Sequence, residues 1–153
     1  MAGHESDVTD LSWSESDALL ATVGLDSLVM LWSGDTFDRL RTIRGHHGFI
    51  KGVAFDPLEQ FLATSSDDRT VKVWDLSHVT DDSREERLSS LTTLKVHDKD
   101  INAIDIAPNN GLLLTGSQDR TARVFRLQYT SASHGSATCV LEPLATCRGH
   151  RRG

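Results

Sequence analysis

The sequence predicts an all-β fold made of three repeated four-stranded antiparallel units. Three observations support this prediction. One set of side chains recurs three times at fixed spacing, the runs between them are short and bounded by turn residues, and no long segment keeps a helical period. The chain has 153 residues, of which 25% are charged and 38% hydrophobic. That composition is typical of a single globular domain.

The repeat is defined by a histidine, a threonine, an aspartate and an aromatic residue. Counted from the aspartate, the histidine lies 22 positions before, the threonine 4 before and the aromatic residue 6 after. The three sets are His4, Thr22, Asp26 and Trp32, then His46, Thr64, Asp68 and Trp74, then His97, Thr115, Asp119 and Phe125. Identical spacing in three copies indicates three copies of one structural unit.

Each unit contains three predicted strands followed by a fourth. In the middle unit the first three are Ile50 to Phe55, Phe61 to Ser65 and Val71 to Trp74, all bounded by Pro, Asp, Ser or Gly. The predicted fourth strands, which lead into the next histidine, are Arg39 to Arg44, Leu91 to Val96 and Pro143 to Arg148. Residues 1–153 are thus one domain with units 4–45, 46–96 and 97–153.

Two polar inserts lengthen the second and third units. They comprise residues 77–87 and 128–140, which are rich in Ser, Thr and charged residues, so we expect both to be solvated loops. Residues Thr80 to Glu86 place hydroxyls before acids, a pattern that acidophilic kinases accept. Phosphorylation of the insert 77–87 is therefore one hypothesis for regulation.

Two dipeptides resemble the signature of a known family. Gly-His precedes the first strand at Gly3-His4 and Gly45-His46 and recurs at Gly149-His150, while Trp74-Asp75 ends the third strand of the middle unit. This pattern resembles WD-repeat β-propellers, and the resemblance implies that each unit is one four-stranded blade. Propellers typically have about four to eight blades. Three blades therefore predict an incomplete β-propeller, either a fragment or a chain that forms a homodimer with six blades.

Charge and hydropathy exclude several classes of function. Sixteen Lys and Arg against 22 Asp and Glu give a net charge of −6, so direct binding to nucleic acid is not expected. No run is long and apolar enough for a membrane span, and the N-terminus lacks the pattern of a secretory signal. Two cysteines are too few for a secreted disulfide framework. We expect an intracellular protein without membrane contact.

The recurring His, Thr and Asp residues have two interpretations. A hydroxyl beside a histidine that is oriented by a carboxylate is the arrangement of a hydrolase triad. Threefold recurrence favours instead a hydrogen-bonded brace within each blade, extended by a Trp indole N–H. We therefore predict no catalytic residue and no enzyme activity. Phe125 has no N–H group, so the third brace should lack its last member and blade three should be less rigid.

Metal and cofactor sites are not predicted. Cys139, Cys147, His150 and His134 could each bind zinc, but their spacing is loose and His150 belongs to the repeat signature. We favour the alternative that Cys147 is buried in the fourth strand and Cys139 lies in a loop. No Gly-rich phosphate-binding motif is present.

Partner binding is predicted on one face of the propeller. The turns before strand one and between strands two and three of each blade share this face, which we call the turn face, and the family resemblance implies that partners bind there. The candidate residues are Phe49, Asp67, Arg69, Lys99, Gln118 and Arg120. Aromatic residues and arginines often dominate interfaces. The alternative for Arg69 and Arg120 is that they only brace their turns.

Longer strings divide the chain between two resemblances. Residues 4–74, with His4 to Trp13 and Lys51 to Pro57, resemble the propeller of histone-regulator-type histone chaperones. Residues 92–153, with His97 to Ala103 and Gly116 to Ala122, resemble transducin-beta-like propellers of the small-subunit processome, which matures ribosomal RNA. Both resemblances imply a non-catalytic scaffold in a multi-subunit nuclear assembly, nucleolar in the second case. The division also predicts a chimera, or a designed or recombined fragment without a native partner, joined near Ser77 to Ser90.

Overall fold

The computed structural model describes residues 3–77, 79, 88, 90–108, 111–130 and 137–149. These residues form twelve β-strands in three four-stranded antiparallel sheets, so the all-β prediction is confirmed. Blade 1 contains β1 (Val8–Trp13), β2 (Leu19–Gly24), β3 (Leu28–Ser33) and β4 (Arg39–Arg44). Blade 2 contains β5 (Ile50–Phe55), β6 (Phe61–Ser66), β7 (Thr70–Asp75) and β8 (Ser90–Lys95). Blade 3 contains β9 (Ile101–Ile106), β10 (Leu112–Ser117), β11 (Thr121–Thr130) and β12 (Thr138–Arg148).

Strand order within each blade follows the chain, and every strand pairs with its neighbour in an antiparallel register. The first strand of each blade carries a β-bulge at its start. The register skips one residue there, which is Thr9 in β1, Lys51 in β5 and Asn102 in β9. A bulge bends its strand and can re-aim a side chain, and the Thr9 hydroxyl and Lys51 Nζ each contact the next blade.

Two hydrophobic cores lie between consecutive blades. We call the sheet face toward the preceding blade the leading face and the opposite one the trailing face. The first core joins the trailing face of blade 1, with Ala21, Val29 and Leu31, to the leading face of blade 2, with Ile50 and Val53. The second core joins the trailing face of blade 2 to the leading face of blade 3 in the same way. Blade 2 is covered on both faces, which is why all of β6 is buried.

The third blade corrects the prediction of a solvated loop at 128–140. Residues 128–130 and 138–140 belong to strands, because β11 and β12 pair from Thr121↔Arg148 out to Thr130↔Thr138. The extended hairpin contacts blade 2. The Tyr129 hydroxyl donates to an Asp75 carboxylate oxygen at 3.5 Å, and the Thr92 hydroxyl donates to the Cys139 carbonyl. The fourth strand therefore begins at Thr138 rather than at Pro143.

The first insert is described only in part. Val79 is buried, 2% exposed, and belongs to the core between blades 1 and 2, so the expectation of solvated residues is wrong at this position. Its backbone N–H donates to the Leu76 carbonyl at 3.2 Å, which turns the chain back toward the sheet. Residues 80–87, and with them the phosphorylation hypothesis, lie outside the described residues.

Candidate interaction surface

The middle blade contains a hydrogen-bonded chain of four side chains. His46 Nδ1 lies 2.8 Å from an Asp68 carboxylate oxygen, and His46 Nε2 lies 2.8 Å from Thr64 Oγ1. The Trp74 indole N–H donates to Thr64 Oγ1 at 2.9 Å. Thr64 is 0% exposed and Trp74 is 2% exposed. The chain of bonds therefore links the segment before β5 to β6, to β7 and to the turn between β6 and β7.

The other two blades repeat this geometry. In blade 1, His4 bonds Asp26 at 2.9 Å and Thr22 at 2.8 Å, and the Trp32 N–H donates to Thr22 at 2.9 Å. In blade 3, His97 bonds Asp119 and Thr115, each at 2.8 Å. Phe125 offers no N–H there, and the Thr115 hydroxyl lies 3.5 Å from the Arg123 carbonyl.

Each aspartate also holds a turn in place. Asp68 accepts the backbone N–H of His47 at 3.1 Å and of Thr70 at 2.9 Å, and it accepts the Thr70 hydroxyl at 2.5 Å. Thr121 bonds Asp119 in the same way in blade 3. Sequence reasoning did not single out these threonines, although the tripeptide Asp-Arg-Thr recurs at both sites.

Burial and hydrogen bonding act in opposite directions on these carboxylates. Burial raises the pKa of Asp68, but donors from His46 and Thr70 outweigh it and hold the pKa well below its usual value. At Asp119 burial also raises the pKa, and donors from Thr121 and His97 again bring it well below the usual value. The ionised form of both carboxylates is therefore favoured in the folded chain.

Acid should destabilise the fold through these two groups. Because the folded pKa values are depressed, the unfolded chain takes up protons first, so the stabilisation is present above about pH 5 and is lost progressively as the pH falls from there toward the folded values. The double variant Asp68→Asn/Asp119→Asn should show a smaller fall in unfolding free energy between about pH 5 and 3. Urea unfolding at each pH measures this fall. The exposed control Asp98→Asn should keep the wild-type slope, and an unchanged slope in the double variant would refute the assignment.

The predicted partner residues lie on the paired turns of blades 2 and 3. In blade 2 the Asp67 N–H donates to the Phe49 carbonyl at 3.1 Å, and in blade 3 the Gln118 N–H donates to the Asp100 carbonyl at 3.0 Å. These bonds place the two turns of each blade side by side. Phe49 is 48% exposed. Lys99 and Gln118 are exposed, while Asp67 is half-buried, and burial raises the pKa of its carboxyl.

Two arginines occupy the same strained position in successive blades. Arg69 has φ of 70° and Arg120 has φ of 68°, in the left-handed region that costs a non-glycine residue free energy. Both are exposed, and their guanidinium groups contact no partner within the part of the chain that the structure describes. Asp68 and Asp119 make the bonds that brace the turns. The arginine side chains are thus directed outward and are not used in the brace.

Blade 3 adds an open cleft on the turn face. Its volume is about 390 Å³ and its lining includes Lys99, Gln118, Arg120 and Arg148. Three cations meet there beside Asp98 and Asp119. The sequence predicted Arg148 as the last residue of a fourth strand and did not include it among the candidate partner residues.

The two cysteines lie far apart on one strand. Cys139 is buried and Cys147 is exposed, the reverse of the prediction, and burial raises the pKa of the Cys139 thiol to about 11. Both lie on β12 with about 26 Å of strand between them at roughly 3.3 Å per residue. Among the described residues no group of three His, Cys, Asp or Glu side chains could hold a metal ion. His134 and His150 lie outside those residues. No described helix is long and apolar enough to cross a membrane.

Comparison with known proteins gives one family and several relatives. The family described as "WD domain, G-beta repeat" matches residues 1–33, 37–75 and 88–126. "Protein HIR1" of Mycosarcoma maydis is 69% identical over 74 residues, which are 48% of this chain and 7% of that protein. "Protein hir1" of Schizosaccharomyces pombe is 48% identical over 77 residues, 50% of this chain and 8% of that protein. The chain thus spans less than a tenth of the length of these relatives.

A solved structure shares the arrangement of the blades. The structure described as "Structure of U3-55K" superposes with a TM-score of 0.78 and covers 98% of this chain and 42% of its own. Sequence identity is 18%, so this likeness concerns the fold alone. It extends across all three blades.

Proposed function

Since the chain belongs to the WD40-repeat family, we propose that it is a non-catalytic scaffold for protein–protein contacts in a nuclear assembly. The single observation that carries this proposal is the geometry of the turn face. Exposed Arg69 and Arg120 are held in equivalent strained turns, while the triad-like residues beneath them are occupied with holding the turns. The arrangement presents side chains to a partner and offers no reactive group.

The alternative of a Thr/His/Asp hydrolase has little support from the same geometry. Thr64 and Thr115 are both 0% exposed, so a substrate cannot reach either hydroxyl without opening the blade. Thr64 Oγ1 also accepts a hydrogen bond from the Trp74 N–H. This bond occupies an oxygen lone pair that a nucleophilic hydroxyl would need for attack. The His, Thr and Asp hydrogen bonds recur in three blades, whereas an enzyme with a single active site needs only one such set. These features support the proposal that no residue of the chain is catalytic.

The proposed partner is a protein that contacts the turn face through Phe49, Arg69 and Arg120. These residue types are enriched among the few that carry most of the binding free energy of an interface. Asp67, Lys99 and Gln118 lie around them and supply polar contacts at the rim. The net charge of −6 supports a protein partner over direct contact with nucleic acid.

Two assemblies fit the resemblances of the sequence. Identity to proteins named HIR1 supports a histone-chaperone assembly in the nucleus, in keeping with the histone-regulator resemblance of residues 4–74. The resemblance of residues 92–153 to small-subunit processome propellers supports a nucleolar assembly that processes ribosomal RNA. Of the two we favour the first, because identity to the HIR1 protein of Mycosarcoma maydis is 69% over 74 residues, whereas identity to U3-55K is 18%.

A binding experiment tests the proposal. The purified chain should bind core histones in a pull-down, and the double variant Arg69→Ala/Arg120→Ala should weaken binding by about tenfold or more. Arg126→Ala is the matched control, since this arginine is exposed on β11 and only pairs with Glu142 at 3.3 Å. Deletion of residues 81–87 should also be tolerated. The proposal would be contradicted if the double variant bound histones normally while the deletion or Arg126→Ala abolished binding. That result would place the binding surface elsewhere on the chain.

A further inference from the structure

A second cleft opens beside β12, the outer strand of blade 3. Its volume is about 220 Å³, and it is lined by Arg123 and Phe125 of β11 and by residues 143–146 of β12. We call it the Arg123 cleft, and it shares no lining residue with the cleft on the turn face. Phe125 belongs to the core between blades 2 and 3, and Arg123, two residues away in the same strand, lies on the same sheet face. The cleft is thus on the leading face of blade 3, where blade 2 adjoins it.

Arg123 brings an unsatisfied guanidinium group to this cleft. Its Nε is buried and has no hydrogen-bond partner. The guanidinium also forms no other hydrogen bond or ion pair with any residue that the structure describes. A buried donor without an acceptor costs free energy, and a charged donor costs more than a neutral one. The orphaned Nε–H therefore favours an acceptor from outside the chain.

The corresponding position differs in the other two blades. Four residues after the repeat aspartate, blade 1 has Met30 and blade 2 has Lys72, both buried. Lys72 Nζ donates to the Thr93 hydroxyl of the outer strand at 2.7 Å. Arg123 pairs in register with Thr146 of its outer strand, but no hydrogen bond joins these two described side chains. Blade 2 satisfies its cation internally, whereas blade 3 leaves a guanidinium and an exposed hydroxyl at the cleft.

The lining of the Arg123 cleft suits a carboxylate. A guanidinium group binds a carboxylate through two parallel hydrogen bonds. Phe125 and Pro143 are a cross-strand pair and form an apolar wall beside it. Apolar surroundings lower the local dielectric and strengthen a charge-assisted hydrogen bond. The volume is below the roughly 300–1,000 Å³ of pockets for small molecules, so the cleft fits a single side chain.

We infer that the Arg123 cleft binds an Asp or Glu side chain of a partner protein, in an ion pair with Arg123. Addition of a partner strand to β12 is disfavoured, because Pro143 has no N–H and Leu144 is bulged. The net charge of −6 makes the contact local, so it depends on Arg123 and not on the field of the whole chain. The inference goes beyond the proposed function and does not require that the turn face binds a partner.

Two capped peptides test the inference on the whole chain, one of alternating Glu and Ala residues and one with Gln in place of Glu. The Glu peptide should bind at least about tenfold more tightly in a titration, because only a carboxylate forms the charged pair. The Arg123 Nε–H signal in a nitrogen–proton NMR spectrum gives a readout at the site itself. This signal should shift on addition of the Glu peptide and stay in place with the Gln peptide.

Arg123→Lys is the informative variant, since Lys72 already holds this position in blade 2. Lysine cannot form the two parallel bonds, and Thr146 offers it a partner within the blade, so affinity for the Glu peptide should fall about tenfold. Arg126→Lys is the matched control. Arg126 lies on the opposite face of β11 and pairs with Glu142 at 3.3 Å, so its replacement should leave the affinity unchanged. A cooperative unfolding transition shows that each variant is folded.

The variant Arg69→Ala/Arg120→Ala separates this site from the turn face. It should bind the Glu peptide as the wild-type chain does, whether or not it binds histones. The inference is overturned if the chain binds the two peptides equally or binds neither, or if the Arg123 signal does not shift. It is also overturned if Arg123→Lys keeps the wild-type affinity, or if the turn-face variant loses the Glu peptide.

Discussion

Replacement of Asp68 by alanine should lower the free energy of unfolding by about 1–3 kcal/mol. The substitution removes the acceptor for the buried His46 ring N–H, for two backbone N–H groups and for the Thr70 hydroxyl. Leaving a buried donor without an acceptor costs its desolvation free energy, and the turn that carries Arg69 loses its fixed shape. Urea unfolding followed by tryptophan fluorescence measures the change.

The matched control for this prediction is Asp98→Ala in blade 3. Asp98 is an exposed carboxylate in the turn before β9, one position after His97, so its removal should change stability by no more than about 0.5 kcal/mol. An Asp68→Ala variant with the wild-type unfolding midpoint would remove the basis for calling the repeated sets structural.

Replacement of Trp74 by alanine should have the largest effect of any single change, about 3–5 kcal/mol. Trp74 is 2% exposed and fills the core between blades 1 and 2, where its ring lies against Gly45 and edge-on to His46 with centroids 6.3 Å apart. Alanine leaves a cavity between two blades and also removes the N–H donor to Thr64. The loss of unfolding free energy in urea is the measurement.

The variant Trp74→Phe separates the stability lost through the cavity from the stability lost with the hydrogen bond. Phe125 occupies the same position in blade 3 and is 3% exposed, so the blade design accommodates this ring. The phenylalanine variant should lose about 1–2 kcal/mol, much less than the alanine variant. A Trp74→Ala variant that loses less than about 1 kcal/mol would contradict the assignment of Trp74 to the core between blades.

The sequence was most informative where the repeat constrains it. The spacing of His, Thr, Asp and the aromatic residue placed β5 at Ile50–Phe55 correctly and β6 to within one residue. His46 lies 2.8 Å from Asp68 and from Thr64, which are the residues 22 and 18 positions away that recur with it in the repeat. Three copies of one pattern reveal a shared geometry that a single copy would not.

The fourth strand of blade 3 was predicted less well, for two physical reasons. Pro143 suggested a strand boundary, but β12 is an edge strand with a bulge at Leu144, and proline is tolerated at such sites. The bulge also reverses the alternation of side chains along the strand. Cys139 and Cys147 are an even number of residues apart and would share one face of a regular strand, yet they lie on opposite faces here.

The candidate surface was only partly accessible to sequence reasoning. The repeat placed Arg69 and Arg120 on the turn face, but it left open whether their side chains brace the turn or point outward. That choice depends on the φ angle of each arginine and on which atoms accept the N–H groups of the turn. Both are known only once the chain is folded. Arg148 lines the blade 3 cleft because β12 ends beside it, which only the structure shows.

A double-mutant cycle on His46 and Asp68 tests the central claim that the triad-like sets brace the blades. The unfolding free energies of His46→Ala, Asp68→Ala and the double variant give the coupling between the two side chains. We expect a favourable coupling of about 0.5–3 kcal/mol, so that the double variant loses less than the sum of the single losses. Additive losses, to within about 0.3–0.5 kcal/mol, would contradict the claim.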